Sequence, residues 1–571
     1  MVNLASTPSR ATFALALALN LVWTWPLVTD PFGLNIAIQM DAPNTLGLSA
    51  AVARAGNPFQ PDLLNWPSGQ LLVRGDSFVF FLLAKLLFFL SPTVPNSLCI
   101  LLGPPISALA AEQLARRMGA TFPWSLLAGL AYGFSGLSAM FILEGYAFNV
   151  LNPWLPWMAL FALKATGPEG SPRDALLAAA SWALCLLTTA YAGISATLLL
   201  VAIVGGSLLR RSASRGPLLV MTGAVLLAGL AFVALYLSAP TEARRFTPDP
   251  QTSIAMMTTG SARLATLFWR TPGVDHALHS QGALIGTTAF LLAIFHPFVP
   301  GTNRPGARRL LLVGLLLTLL SLGPTLKLFR TGPGMPWLLS PLAEAGLGAF
   351  MRFPDRLVLS ATLAFGVVGA LLLTEIGRIR PRIAGLLLAA GLLDVLVGAG
   401  LPLRTGSTPW EAPSAYQSAP QGRAVLDIWP HFVGFTRDQE VRLSRRAVGY
   451  AAMHGRPILT DALNVSPVED RRRPVADWVA AWALSGSNGG GLVQARMDAI
   501  GIGAVALHAS LFPPEELEIL LQGMRNVLGE PAATSTDQGT TIILWVISSE
   551  PLTTTAAQRL AALELTQDEI R

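Results

Sequence analysis

Sulfur ligands, imidazoles and charged groups are all scarce in this chain. Its 571 residues include two cysteines and six histidines. Cys99 and Cys185 both sit inside apolar runs, so a disulfide framework and a thiolate metal site are both excluded. Charged residues make up 13% of the chain, against about 25% in soluble domains. The formal net charge of +6 calls for no nucleic acid, because the arginines gather in short loops between apolar runs, as membrane orientation requires. Phosphate loops and nucleophile elbows are missing too. The one glycine cluster, Ser487-Asn-Gly-Gly-Gly491, lacks the strand–turn–helix setting and the lysine of such motifs, and reads as a plain loop.

Apolar sequence is what the chain has in abundance. It is 52% hydrophobic with a mean hydropathy of +0.53. A bilayer core about 30 Å thick takes about 20 mainly apolar residues per helix. Runs of that kind fall near 11–29, 94–114, 122–142, 147–163, 174–188, 190–209, 218–238, 281–298, 310–328, 357–376 and 383–401. The run Phe78–Leu90 is shorter and carries Lys85, which fits an interfacial or re-entrant helix better than a crossing. The first run is followed by Trp23-Thr-Trp-Pro26 rather than a small-residue cleavage site, so it reads as a retained anchor. The expected fold is an α-helical polytopic membrane protein of about 11–13 transmembrane helices.

Arginines and lysines cluster in alternate loops: Arg116-Arg117, Lys164 with Arg173, Arg210-Arg211 with Arg215, Arg304 with Arg308-Arg309, and Arg378, Arg380 and Arg382. The positive-inside rule places these loops and Arg10 in the cytoplasm. The loops at about 30–93, 239–280 and 329–356 are then external, with the amino end inside and the carboxyl end outside. Residues 1–401 form the expected membrane domain. From Pro402 onward the composition turns polar, and 402–571 reads as a separate extracytoplasmic α/β domain. Strands are expected at Arg423–Ile428, Gly501–Leu507 and Thr540–Ile547, and helices at Asp438–Met453, Leu492–Ile500 and Pro514–Leu528.

Chemistry is expected in the first external loop. Asp41 lies about a dozen residues beyond the first run, with no Lys or Arg within ten positions, and acidic groups near membrane depth are functional candidates. An ordinary helix cap is the plain alternative. Asp41-Ala-Pro-Asn44, a short amphipathic helix, Gly56-Asn-Pro-Phe59 and Asn65-Trp-Pro-Ser-Gly69 together resemble the first periplasmic loop of the GT-C superfamily. These are polyprenyl-phosphate-sugar-dependent glycosyltransferases, and the resemblance is nearest to the bacterial YfhO-like branch. Gly145-Tyr-Ala-Phe-Asn149 with Pro153-Trp-Leu-Pro156 is similar to the second external loop and the span leaving it. Met351-Arg-Phe-Pro-Asp-Arg356 is similar to the Arg-x-Pro-x-Arg element before a late span, and Met453-His-Gly-Arg-Pro-Ile458 to a His-Gly-x-Pro-Ile segment of the carboxyl domain. Two departures stand beside these: the first loop has no paired acidic motif, and Leu46 replaces a tryptophan often found there.

The resemblance implies a glycosyltransferase of the bacterial cytoplasmic membrane that moves a sugar, with inversion, from a polyprenyl-phosphate donor to an extracytoplasmic glycan, lipid or polymer. Asp41 would be the general base. Arg352 and Arg356, then Arg244 and Arg245, would hold the departing lipid phosphate, for which the planar guanidinium is suited. Glu144 and Asp76 are second acid candidates. A divalent metal, Mg²⁺ or Mn²⁺, held by Asp41 and the lipid phosphate is left open. Asp275-His-Ala-Leu-His279 reads as a loop, because a metal site needs three or four converging ligands. A lipid-linked sugar translocase and a non-catalytic envelope-assembly protein are the alternatives on the same fold.

Overall fold

A computed structural model describes residues 7–36, 42–56, 63–64, 77–146, 149–209, 215–238, 257–268, 286–299, 305–327, 334–345, 353–398, 407–429, 437–459, 472–485, 490–537 and 540–570, with 251 and 254 and excepting a few single positions. The chain forms two compact units. One comprises Met1–Pro31, Asp76–Phe80 and Asn96–Gly406, and the other Phe32–Gly75, Phe81–Pro95 and Ser407–Arg571.

The main helices in chain order begin with α1 (Thr7–Trp23), α2 (Ala42–Arg54), α3 (Phe78–Leu86), α4 (Val94–Met118), α5 (Leu126–Gly133) and α6 (Gly136–Glu144). They continue with α7 (Trp154–Ala165), α8 (Pro172–Thr188), α9 (Ala190–Leu209), α10 (Arg215–Ser238), α11 (Thr287–Phe295), α12 (Pro305–Ser321), α13 (Val358–Ile379) and α14 (Pro381–Gly398). Each of the eleven apolar runs carries helix. Among the described residues four helices are long and apolar enough to cross a membrane: Val94–Met118, Ala190–Leu209, Arg215–Ala234 and Pro354–Ile379.

Within the first unit, apolarity alone does not set burial. The most apolar stretch of Pro354–Ile379 lies wholly inside the unit, whereas only 11% of that of Arg215–Ala234 does. On α10, Leu219, Leu227 and Leu230 are exposed. A helix that is apolar all round and uncovered needs lipid for solvent. Lipid supplies no hydrophobic drive between helices, so close packing must hold the bundle together. Small residues provide it. A Cβ on Gly133 of α5 would stand 2.6 Å from the Pro104 carbonyl of α4, and one on Gly366 of α13 would stand 3.2 Å from Ala128 Cα. Gly216 and Gly223 of α10 face open space.

Polar groups inside this unit are paired with particular backbone defects. Pro104 and Pro105 lie within α4, and each removes an N–H that would have bonded to the carbonyl four residues earlier. The freed carbonyls are those of Ile100 and Leu101, and Asn20 Nδ2 of α1 donates to both, at 3.0 and 2.8 Å. Asp394 of α14 accepts from the Thr288 N–H in the first turn of α11 at 2.7 Å, capping orphan donors at a positive helix end. Glu112 of α4, fully buried, accepts from Ser125 Oγ at 3.1 Å and lies 3.6 Å from Arg116 Nε. Asp394 and Glu112 are thus tied to particular partners within the fold.

The second unit is built on a four-stranded sheet. Its strands are β3 (Ala424–Ile428), β4 (Ile502–His508), β5 (Ala533–Asp537) and β6 (Thr540–Val546), in the order β3-β4-β6-β5. The β3–β4 pair is parallel and the other pairs antiparallel. β3 and β4 are buried along their whole length, as expected of strands covered on both faces. The helices are α15 (Arg437–His454), α16 (Arg472–Ser485), α17 (Gly490–Ile500), α18 (Pro514–Leu528) and α19 (Ala556–Ile570). The glycine run differs from the plain loop expected of it. Gly490 and Gly491 open α17, and a Cβ on Gly490 would stand 2.7 Å from the Val527 carbonyl.

Part of the 30–93 segment, expected from sequence to be an external loop, belongs to this unit. The strand β1 (Leu34–Ile36) pairs antiparallel with β2 (Ser407–Pro409). α2 lies on α15 so closely that a Cβ on Gly47 would sit 2.3 Å from the Val448 carbonyl. Arg54 Nη1 reaches the Ala451 carbonyl near the end of α15 at 3.5 Å. Lys85, the charge that marked Phe78–Leu90 as unusual, donates to the Ala53 and Ala55 carbonyls at 3.1 and 2.7 Å. Cations at both helix ends meet carbonyls of the last turn and the negative pole of the dipole. Leu63 accepts from the Ile458 N–H at 2.9 Å.

Candidate functional site

Arg356 is the one lipid-phosphate candidate whose side chain is described, and it is held by aromatic rings. A 3₁₀ turn, Pro354–Leu357, precedes α13, and Pro354 sets its start by fixing φ. Within it Arg356 is 9% exposed. Its guanidinium carbon lies 4.7 Å from the ring centroid of Phe353, 5.0 Å from Tyr146, 5.4 Å from Tyr191 and 5.8 Å from Phe141. Such stacking is favourable and suits arginine better than lysine. The Tyr191 hydroxyl accepts from the Phe353 N–H at 2.7 Å, tying the start of α9 to the segment before α13.

Arg356 lines a small, partly open cleft with Asn149, Asn152, Thr189, Tyr191 and Ser360. Thr189 precedes α9, and its Oγ1 accepts from the Tyr191 and Ala192 N–H groups at 3.1 and 3.2 Å, as an N-cap does. The positive end of a 20-residue helix therefore borders the cleft beside a guanidinium, an arrangement that favours an anion.

Asn149 is 2% exposed, and neither its Nδ2 nor its Oδ1 has a partner among the described residues. Leaving such a group unmet costs about 1–3 kcal/mol. Asn152 is anchored by its backbone: its N–H donates to Ser107 Oγ at 3.3 Å and its carbonyl accepts from the Tyr132 hydroxyl at 2.8 Å. Its Oδ1 is likewise buried and unmet. Sequence reading singled out Gly145–Asn149 and Pro153–Pro156 as motifs without selecting these amides. The signal was two asparagines three positions apart at the start of an apolar run.

The other candidates divide by what is described. Glu144 is the last residue of α6, followed by Gly145 at φ 85°, a left-handed C-cap that glycine adopts readily. Asp41, Asp76, Arg352, Arg244 and Arg245 lie outside the described residues, as do the Asp275, His276 and His279 positions. Asp41 directly precedes α2 in sequence. Among the described residues no three His, Cys, Asp or Glu side chains converge on a metal position.

The second unit holds a buried polar cluster of its own. Asp427 Oδ1 of β3 accepts from the Tyr416 hydroxyl at 2.5 Å and lies 3.1 Å from His508 Nε2 at the end of β4. His454, last residue of α15, stacks on Tyr416 at 4.7 Å with rings 16° apart. The Arg456 N–H donates to its Nδ1 at 3.0 Å, so the neutral ring carries its proton on Nε2. Burial holds His454 down at about 3, against the pull of Asp427 and with Arg456 and Arg54 adding to the depression. Burial pushes the Tyr416 phenol up, and Asp427 pushes it further. His454 is thus a stacked, neutral ring.

No family profile and no curated protein matches the sequence. Solved structures do resemble it. The arabinofuranosyltransferase AftD from Mycobacteria matches with a TM-score of 0.54 and 17% identity over 95% of this chain and 40% of that one. A variant of the same enzyme gives 0.51 and 18%, over 95% and 41%. ArnT from Cupriavidus metallidurans bound to undecaprenyl phosphate gives 0.49 and 12%, over 96% and 99%. The chain spans about 40% of the length of the arabinofuranosyltransferase. The chain shares its fold with part of the arabinofuranosyltransferase.

Proposed function

We propose that this protein is an integral-membrane glycosyltransferase that moves one sugar from a polyprenyl phosphate to an extracytoplasmic glycan, lipid or polymer. The observation that carries the reading is the cleft at Arg356: a caged guanidinium beside a helix N-terminus, on the segment leading into α13, whose most apolar stretch is wholly buried, in a chain that shares its fold with part of an arabinofuranosyltransferase. In this reading Arg356, with Arg352 near it in sequence, takes the phosphate that departs with the lipid. Arginine offers bidentate hydrogen bonds to phosphate oxygens, and a side chain already fixed by rings loses little entropy on binding.

Asp41 is the proposed general base, taking the acceptor hydroxyl's proton as the new glycosidic bond forms and the bond to the phosphate breaks. Such catalysis contributes about 10²–10⁴-fold. The phosphate leaves readily without a separate acid, so one carboxylate suffices and the anomeric centre inverts. The segment following Asp41 rests on the second unit through α2 and α15, which supports a role for that unit in presenting the acceptor. Eleven crossings, a cytoplasmic amino end and an external second unit in a bacterial cytoplasmic membrane complete the reading, with the YfhO-like branch as the nearest relatives.

The test is transfer of labelled sugar from a panel of synthetic polyprenyl-phosphate donors in proteoliposomes. Wild type transfers label, Asp41→Asn does not while still binding the donor, and Arg356→Ala loses donor binding. Transfer by Asp41→Asn at the wild-type rate overturns the assignment of the base.

A further inference from the structure

We infer that Asn149, with Asn152, reads the hydroxyls of the donor's sugar, so that the cleft recognises a glycosyl phosphate rather than a bare phosphate. This rests on the reading of Arg356 as the phosphate ligand and assigns the remainder of the same cleft. The carboxamide of Asn149 presents a buried donor and a buried acceptor side by side, neither with a partner among the described residues. A phosphate dianion offers acceptors only. It would satisfy Nδ2 and leave Oδ1 facing negative charge. A sugar hydroxyl both donates and accepts, and a pair of hydroxyls matches the amide at both atoms.

Asn152 carries the same preference. Its unmet atom is an acceptor, Oδ1, which repels an anion and welcomes a hydroxyl. Its backbone is tied on both sides, to Ser107 and to Tyr132, so it cannot turn away by a shift of the loop. The cleft therefore has a cationic side at Arg356 and a neutral, amide-lined side at Asn149 and Asn152. A lipid that has lost its sugar fills the first and leaves the second unpaired, which lowers its affinity relative to the donor and favours release after transfer.

The experiment measures binding of two probes to the full chain in nanodiscs: a short-chain polyprenyl phosphate, and the same lipid bearing a single pentose or hexose. Wild type is expected to prefer a sugar-bearing lipid. Asn149→Leu leaves the bare lipid within about twofold and weakens the sugar-bearing one about tenfold or more, the loss of roughly one good hydrogen bond. Arg356→Ala weakens both. Asn149→Gln, which keeps the amide and moves it, gives the same pattern as Asn149→Leu and guards against a folding defect. Equal weakening of both lipids by Asn149→Leu overturns the inference while sparing the reading of Arg356, as does a wild type that binds all the lipids equally. A wild type that binds neither probe overturns both.

Discussion

The first unit and the second each bury a cluster of polar side chains, and the two clusters are finished differently. Around Asp427 the groups satisfy one another: a phenol and an imidazole converge on one carboxylate oxygen, and the second imidazole lies flat on the phenol. His454 Nε2 is the exception, without a partner among the described residues. Around Arg356 the finishing is withheld. Among the described residues an amide stands buried with both polar atoms unmet and a second amide with one, and both line the same cleft. Burial of polar groups is therefore no guide to function by itself. A closed set stabilises the fold, whereas an open set stores a deficit that a ligand can remove.

The sharpest way to break this contrast is to exchange the consequences of substitution. Arg356→Ala is expected to cut sugar transfer about 100-fold or more, with thermal unfolding little changed, as read in the proteoliposome assay and by differential scanning calorimetry. Asp427→Leu should do the reverse. It strands the Tyr416 hydroxyl and the His508 ring and costs about 3 kcal/mol, seen as faster hydrogen exchange in β3 and β4, while lipid binding measured well below the transition is retained.

Acid should separate the clusters next. His454 titrates at about 3 in the fold against an ordinary value of 6.5. Between those values the unfolded chain binds the extra proton. Stability of the second unit thus falls as pH drops below about 6.5, by up to about 1.4 kcal/mol per unit, and levels off below about 3. Denaturant unfolding across that range checks it, and His454→Gln should flatten the slope. The smallest effect is expected of Asn149→Leu, which removes two unmet atoms and should raise stability by about 1 kcal/mol. A loss of stability instead would place Asn149 in the closed class.

The helices were legible because apolar length alone encodes them, and each apolar run in the first 400 residues carries one. β3, β4 and β6 were legible as short runs rich in β-branched and aliphatic residues. β5, Ala-Thr-Ser-Thr-Asp, was not, because an edge strand with small polar side chains gives no hydrophobic signal. α16 begins within three successive arginines, Arg471 to Arg473, which mask its apolar face. Arg356 could be found as a cation between two proline-marked apolar elements. Asn149 could not, since a neutral amide in a turn-like loop carries no chemical signature until its surroundings are known. The seating of α2 on α15 was invisible for another reason: Arg54 and Ala451 are 397 positions apart, and no local pattern spans such a distance.

That separation also sets a timetable. Translation at about 5–20 residues per second leaves α2 waiting roughly 20–80 s for α15 to be made. Until then Leu46 and Val52, which the finished unit buries, have no such helix to cover them. A chain interrupted before α15 keeps an uncovered apolar helix next to Asp41, a mark that quality-control proteases and chaperones can recognise. Only a polypeptide synthesised beyond that helix can seat the segment after the proposed base.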